Sequence, residues 1–192
     1  MTRPFLLALW ICTTLSVTTS RVVSAAPPET AAAGDVKRGE YIVTIGSCND
    51  CHTPLKMGPK GPEPDVAHML SGHPADLVMP PAPKPTGPWL WAGAATNTAF
   101  AGPWGGSYAL NLTPDPSGIG NWTEKMFVEA MRTGKHAGVG RPILPPMPWP
   151  ALAAMTDADL KAVFAYLRSI KPVKNIPPPA LVAPPPAAPG KR

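Results

Sequence analysis

One pentad in the sequence combines residue types and spacing suited to covalent cofactor chemistry, Cys48-Asn49-Asp50-Cys51-His52. It follows C-x-x-C-H, the pattern that attaches a c-type haem. The two thiols add to the vinyl groups of the haem, and their spacing lets one helical turn present both sulfurs along one porphyrin edge. The imidazole of His52 comes directly after them, so it can bind the haem iron as the proximal ligand.

Two other kinds of site use similar residues. A C-x-x-C pair can be a redox-active dithiol, but that interpretation expects a βαβ neighbourhood, which the flanking sequence does not predict. Tetrahedral zinc needs more soft ligands than Cys48, Cys51 and His52 supply, and the chain has only 3 cysteines. The pentad therefore predicts covalent haem, with a haem-free exported dithiol oxidoreductase as a rival interpretation.

The N-terminal residues have the pattern of an export signal. Arg3 gives a positive start, residues 5–12 are apolar, and Val23-Ser24-Ala25 fits a small-residue cleavage site. These features predict a signal peptide over residues 1–25 and a periplasmic mature protein. Cleavage removes Cys12, and an oxidising compartment turns an idle pair of thiols into a disulfide. The histidine of the pentad favours haem over a disulfide for the pair that remains.

Composition limits the class of protein. The 192 residues are 44% hydrophobic, which is enough for one domain with a buried core. The 29 prolines and 17 glycines indicate that a large part of the chain is loop. A net charge of +5 is too mild to argue for nucleic acid as a partner. No stretch after the signal is long and apolar enough to span a bilayer, which leaves peripheral membrane association open.

Apolar periodicity and capping residues predict three main helices, beginning near Asp35, between Asn121 and Thr123, and after Thr156. Gly134 is the predicted stop of the second helix, and the last is expected to end near Ile170. These helices place the pentad directly after the first helix, in an all-α domain.

The remaining segments are predicted to be irregular. A linker over 26–33 precedes the domain, which covers residues 34–172, and the Pro-rich residues 173–192 are expected to be a disordered tail. Residues 53–110 have little periodicity and are predicted to be a long loop or insertion. Loops of this length are usually functional or disordered. Two interpretations of residues 53–110 stay open: the segment wraps around the haem and covers its edge, or it is a mobile insertion.

A haem held by one histidine has a sixth iron position, which methionine fills in many electron-transfer cytochromes. Met147 lies among three prolines, on backbone that has few accessible conformations. Such a loop can hold a sulfur at the iron with little further loss of entropy. Met79, which precedes two prolines, is the direct competitor, and His136 would give bis-histidine ligation. Local chemistry favours Met147 over Met79.

Several further segments of residues 34–172 form a set, namely Gly34–Gly39 before the pentad, Asn111–Pro116, Gly118-Ile119-Gly120 with Trp122, Met147-Pro148-Trp149, Thr156–Leu160 and Ala165–Arg168. With the pentad, this set resembles class I c-type cytochromes of the bacterial single-haem kind. It is similar in particular to the cytochrome subunits of exported dehydrogenases, in which a Met-Pro-aromatic segment supplies the axial methionine.

The resemblance implies a class I cytochrome c fold, with about three main helices around one covalently bound haem c and its iron. It implies His52 and Met147 as axial ligands, and it brings Gly39 and Tyr166 to the crossing of the first and last helices. We expect Trp122, Trp149 and Tyr166 to pack around the haem.

The implied function is one-electron transfer in a respiratory chain, from an exported dehydrogenase to an oxidase or another cytochrome. In this interpretation the chain is an electron carrier and is not itself an enzyme. The alternative is a five-coordinate haem protein that binds or senses a small ligand.

Overall fold

The computed structural model describes residues 33–81, 83 and 85–182 of the chain. Its helices are α1 (Ala33–Ile45), α2 (Cys48–His52), α3 (Glu124–Thr133), α4 (Trp149–Leu152) and α5 (Asp157–Ser169). Its strands are β1 (Leu55–Gly58), β2 (Gly61–Pro64), β3 (Ala92–Gly93), β4 (Ala99–Gly102), β5 (Gly105–Tyr108) and β6 (Leu181–Val182). The predicted signal peptide lies outside the described residues, as does the predicted linker apart from Ala33. No helix in the described part of the chain has the length and apolar character needed to cross a membrane.

The first and last long helices, α1 and α5, cross at Gly39. A Cβ atom on Gly39 would lie 1.9 Å from the carbonyl oxygen of Ala162 and 2.8 Å from the Cβ of Tyr166. Any larger residue would therefore push the two helices apart. The structure confirms that Gly39 and Tyr166 meet at this crossing.

Local capping explains where α3 and α5 begin. The hydroxyl of Thr123 accepts a hydrogen bond from the backbone N–H of Met126, and Thr156 does the same for Asp159. Helix α3 ends at Gly134, whose φ of 65° is the left-handed conformation that glycine adopts most easily. The predicted start and end of both helices are confirmed to within about three residues, the usual uncertainty of helix boundaries.

The hydrophobic core lies among α1, α3 and α5. Its fully buried members include Val43 of α1, Ala130 of α3 and Leu160 of α5. The rings of Phe127 and Phe164 lie 5.5 Å apart between their centroids and join α3 to α5. Burial of these apolar side chains fixes the three helices around the pentad, which follows α1 directly.

Residues 53–110 contain regular structure, so an all-α fold is an incomplete description. Strands β1 and β2 form a hairpin, and β3, β4 and β5 form an antiparallel sheet that β6 extends at one edge. The β4–β5 turn consists of residues 103 and 104, and Gly105 directly after it has a φ of 102°, in the region that favours glycine. Phe100 of β4 is buried, whereas Trp89 and Leu90, which precede the sheet, are exposed. Leu70, in the first half of the segment, is fully buried in the core. The segment therefore folds on the domain in both halves, and Trp89 and Leu90 lie in an exposed stretch between them.

The chain after α5 departs from the predicted disorder. Residues 173–182 are extended and hydrogen-bonded, and residues 183–192 lie outside the described part of the chain. Asn175 makes three hydrogen bonds with its side chain: Nδ2 donates to the carbonyls of Ser71 and His73, and Oδ1 accepts from the N–H of Ala75. The backbone of Val173 is also bonded to Thr113. Side-chain amides therefore fix a segment whose composition alone predicts disorder.

Replacement of Asn175 with alanine should lower the free energy of unfolding by about 2 kcal/mol, because three backbone groups lose their partner. Urea unfolding of the holoprotein, followed by circular dichroism, measures this change. Lys174→Ala is the matched control, since Lys174 is exposed and neighbours Asn175 in the chain. Equal midpoints for the two variants would show that the hydrogen bonds of the Asn175 side chain contribute nothing to stability.

Candidate functional site

A sharp turn of the backbone after α1 sets the orientation of the pentad. Ser47, between α1 and α2, has a φ of 57° and a ψ of 28°, a left-handed conformation that is uncommon for a residue with a Cβ. Its carbonyl accepts from the N–H of Asp50 at 3.1 Å and so starts the single turn of α2. This turn carries both cysteines and ends at the histidine.

The two thiols are suited to covalent attachment. Cys48 and Cys51 are three residues apart on one helical turn, which places their side chains on the same face. Both are half-buried and free. Burial raises the pKa of each thiol, and the carboxylate of Asp50 adds to the effect. Redox-active cysteines instead have a lowered pKa, so this environment argues against a dithiol oxidoreductase.

One ring nitrogen of the pentad histidine is hydrogen-bonded, and the other is available to bind a metal. His52 is 8% exposed, and its Nδ1 lies 2.7 Å from the carbonyl oxygen of Leu110. A carbonyl can only accept, so Nδ1 carries the proton and Nε2 keeps its lone pair. Burial lowers the pKa of His52, against the opposing effect of the Leu110 hydrogen bond. The ring is therefore neutral and oriented, as a metal ligand requires.

Backbone hydrogen bonds on both sides hold the carbonyl of Leu110 in place. The N–H of Ala109 donates to Thr98 at 2.8 Å, and the N–H of Leu112 donates to Leu70 at 2.8 Å. The carbonyl of His52 itself accepts from Gly72 at 2.8 Å. The two ends of the long segment 53–110 thus meet at the histidine. Sequence reasoning missed Leu110, since any residue can supply a backbone carbonyl.

The methionine predicted as the second iron ligand, Met147, lies in the loop after α3. Among the described residues, Met147 is half-buried and packs against the core shared by α1, α3 and α5, whereas Met79 does not pack there. Met69 and Met155 also pack against this core, so packing alone does not select one methionine. Met147 differs from these two because it lies between prolines.

The three aromatic residues expected around the haem lie in different environments. Trp122 and Tyr166 pack against the core. Trp149 lies over Gly134, where an added Cβ would come within 2.4 Å of the indole ring. Burial raises the pKa of Tyr166. Two of the three therefore pack against the hydrophobic core, and the third packs α4 on the end of α3.

Two of the other three histidines, His73 and His68, make hydrogen bonds elsewhere in the described part of the chain. His73 is fully buried, with Nδ1 2.9 Å from the hydroxyl of Thr98 and Nε2 3.1 Å from the carbonyl of Leu77. His68 is exposed and lies 2.6 Å from a carboxylate oxygen of Asp65. His136 is half-buried, and burial lowers its pKa.

His136 is thus the remaining histidine with a neutral ring near the core. Its ring meets that of Trp122 edge-on, with 5.1 Å between the centroids. Within residues 33–81, 83 and 85–182, no group of three or more His, Cys, Asp or Glu side chains can hold a metal ion. A zinc site is accordingly a poor fit, whereas one imidazole, two thiols and a thioether suit a covalent haem.

Comparison with known proteins supplies independent information. The family model described as Cytochrome c matches residues 36–171, a range that includes the pentad and α2 to α5. The cytochrome c subunit of the quinone alcohol dehydrogenase from Gluconobacter oxydans (strain 621H) is 31% identical over 140 residues, which are 72% of this chain and 22% of that protein. The fructose dehydrogenase cytochrome subunit of Gluconobacter japonicus is 29% identical over 148 residues, 76% of this chain and 24% of that protein.

A third relative belongs to another dehydrogenase. The gluconate 2-dehydrogenase cytochrome c subunit of Pantoea cypripedii is 32% identical over 140 residues, which are 72% of this chain and 24% of that protein. The chain therefore spans less than a quarter of the length of each of these relatives.

Proposed function

Because this chain belongs to the cytochrome c family, we propose that it carries single electrons on a haem c whose iron is held by His52 and Met147. It is a class I c-type cytochrome, and its cofactor is covalently bound haem c. When bound, the haem iron alternates between the ferric and ferrous states and so stores one electron. The observation that supports the assignment of His52 is its hydrogen bond to Leu110, which leaves Nε2 as the free ligand atom.

Each chemically active residue of the pentad has a distinct role in this proposal. Cys48 and Cys51 would form the thioethers that attach the haem to α2. His52 binds the iron through Nε2, while Leu110 keeps the ring from rotating and makes the imidazole a better donor of electron density. A ligand held in this way moves little when the charge on the iron changes, which suits rapid electron transfer.

Met147 would supply the second iron ligand in this proposal. Its thioether sulfur is soft and favours the ferrous state, which raises the reduction potential. Trp122 and Tyr166 pack against the core. In this proposal they keep water away from the haem, which disfavours the extra positive charge of the ferric state. A six-coordinate iron has no open position for a substrate, so the site is suited to electron transfer and not to substrate chemistry.

The partners and location proposed are those of an exported redox protein. The relatives bear the names of cytochrome subunits of alcohol, fructose and gluconate dehydrogenases. By this likeness, we propose that an exported dehydrogenase reduces the chain in the periplasm. An oxidase or another cytochrome of the respiratory chain would then accept the electron. The finer fold proposed is three main helices, α1, α3 and α5, around the haem.

The behaviour of the reduced protein toward carbon monoxide tests this function. We expect a reversible one-electron redox titration and an optical spectrum of the ferrous protein that carbon monoxide leaves unchanged, since both axial positions are filled. Rapid binding of carbon monoxide would instead support the five-coordinate ligand-binding alternative. A pyridine haemochrome assay that finds no covalent haem would support the dithiol interpretation.

A further inference from the structure

The loop that carries Met147 has few ways to be held in place. Residues 145, 146 and 148 are prolines, so their backbone nitrogens have no hydrogen to donate. Over residues 144–147, one hydrogen bond from the described part of the chain reaches the backbone: the hydroxyl of Ser107 donates to the carbonyl of Pro145 at 2.6 Å. The loop is bonded at both of its ends, where the N–H of Ile143 donates to Gly134 and the carbonyl of Pro148 accepts from Ala151. Between these ends, the hydroxyl of Ser107 is the one hydrogen-bonding group from the described part of the chain that holds the backbone.

The direction of this hydrogen bond is fixed by its neighbours. The indole N–H of Trp104 lies 3.2 Å from the same hydroxyl oxygen and can only donate. The carbonyl of Pro145 can only accept, so the hydroxyl hydrogen of Ser107 points to it. Ser107 is 8% exposed, so water has little access to replace either partner. Trp104 thus orients the hydroxyl, and the hydroxyl holds the loop.

The sheet that carries Ser107 is itself anchored on the side of the pentad. Asn97, in the turn before β4, donates from Nδ2 to the carbonyl of Asp50 at 2.7 Å. The N–H of Leu55 donates to the carbonyl of Thr96 at 2.9 Å. One end of the β3–β5 sheet is therefore bonded to the cysteine-bearing turn, and Ser107 bonds it to the methionine loop.

We propose that Ser107, oriented by Trp104, is a positioning residue that keeps the loop of Met147 against the haem iron. The proposal rests on the axial role of Met147 proposed above. It gives the second half of the long segment a specific role, because the β3–β5 sheet then fixes the distance between the proximal and distal sides of the site. Ser107 does not touch the iron and acts through the Pro145 carbonyl.

Loss of the Ser107 hydrogen bond would change how often the sulfur of Met147 leaves the iron. An added ligand such as imidazole binds ferric iron only when the sulfur has moved away, so its apparent affinity is proportional to the population of that open state. In Ser107→Ala the Pro145 carbonyl loses its partner. Loss of one such bond should make imidazole binding about fivefold tighter, with a weaker far-red sulfur-to-iron band before any ligand is added.

Imidazole titration of the ferric holoprotein tests the proposal. Ser107→Ala should bind imidazole more tightly than the wild type, and Ser107→Thr, which keeps a hydroxyl, should restore affinity to near the wild-type value. Trp104→Phe should change affinity in the same direction as Ser107→Ala but by less, which provides a second variant if the first fails to fold. Ser71→Ala is the matched control, since this buried serine also donates to a backbone carbonyl, that of His68.

The outcomes separate this proposal from the assignment of the ligand. Unchanged imidazole affinity in Ser107→Ala, or an equal gain in Ser71→Ala, would overturn the positioning role. A far-red band that persists in Met147→Ala would overturn the axial assignment, and the positioning role with it. Loss of the band in Met147→Ala together with wild-type affinity in Ser107→Ala would overturn the positioning role alone.

Discussion

Replacement of His52 with alanine is expected to abolish stable haem-loaded protein. The variant loses the nitrogen proposed to bind the iron, and the carbonyl of Leu110 loses the N–H that His52 now supplies at 2.7 Å. A buried acceptor left without a partner adds about 1–3 kcal/mol of destabilisation to the loss of the metal ligand. Haem staining of a denaturing gel and the optical spectrum of the purified protein measure the result.

His136→Ala is the control for this experiment. His136 is half-buried and meets Trp122 edge-on, and it is the ligand that bis-histidine coordination would use. We expect this variant to keep covalent haem in wild-type yield and to keep its far-red band. A normal yield of six-coordinate haem in His52→Ala would contradict the proximal assignment.

Replacement of Met147 with alanine is expected to open the sixth position while the haem stays attached through Cys48 and Cys51. The ferrous protein should then bind carbon monoxide, and the far-red band of the ferric protein should disappear. The reduction potential should fall by on the order of a hundred millivolts or more, since axial ligation spreads haem potentials over about 0.8 V. Potentiometric titration measures this fall.

Two matched variants show whether the effect belongs to Met147. Met79→Ala removes the same side chain from a half-buried site away from the core, and Met69→Ala removes it from a residue that packs on the core. Both should keep the band and a potential near that of the wild type. Loss of the band in Met79→Ala with its retention in Met147→Ala would move the ligand to Met79.

Features that depend on neighbouring residues could be predicted from the sequence. The pentad carries its chemistry within five consecutive positions. Thr123 and Thr156 cap helices by bonding an N–H three residues later, and Gly134 ends α3 through its own backbone conformation. A pattern of this length is visible without knowledge of the fold, which is why these helices and the pentad were predicted at the right places.

Features that join distant parts of the chain could not be predicted. Ser107 and Pro145 are 38 residues apart, His52 and Leu110 are 58 apart, and Asn175 and Ser71 are 104 apart. Each contact uses a backbone carbonyl, which every residue possesses, so no residue type marks it. The strands of residues 53–110 consist largely of Gly, Ala, Ser and Pro, so their sequence has no apolar alternation that would predict them. The hydrogen bonds that order residues 173–182 also come from distant residues, so this segment was predicted to be irregular.

The far-red absorption spectrum of the ferric wild-type holoprotein tests the central claim most directly. We predict a weak sulfur-to-iron band at neutral pH, because the proposed ligation gives the iron the thioether of Met147 together with the imidazole of His52. A ferric protein with covalent haem and no such band would contradict His/Met ligation, and with it the proposed role of the proline-flanked loop.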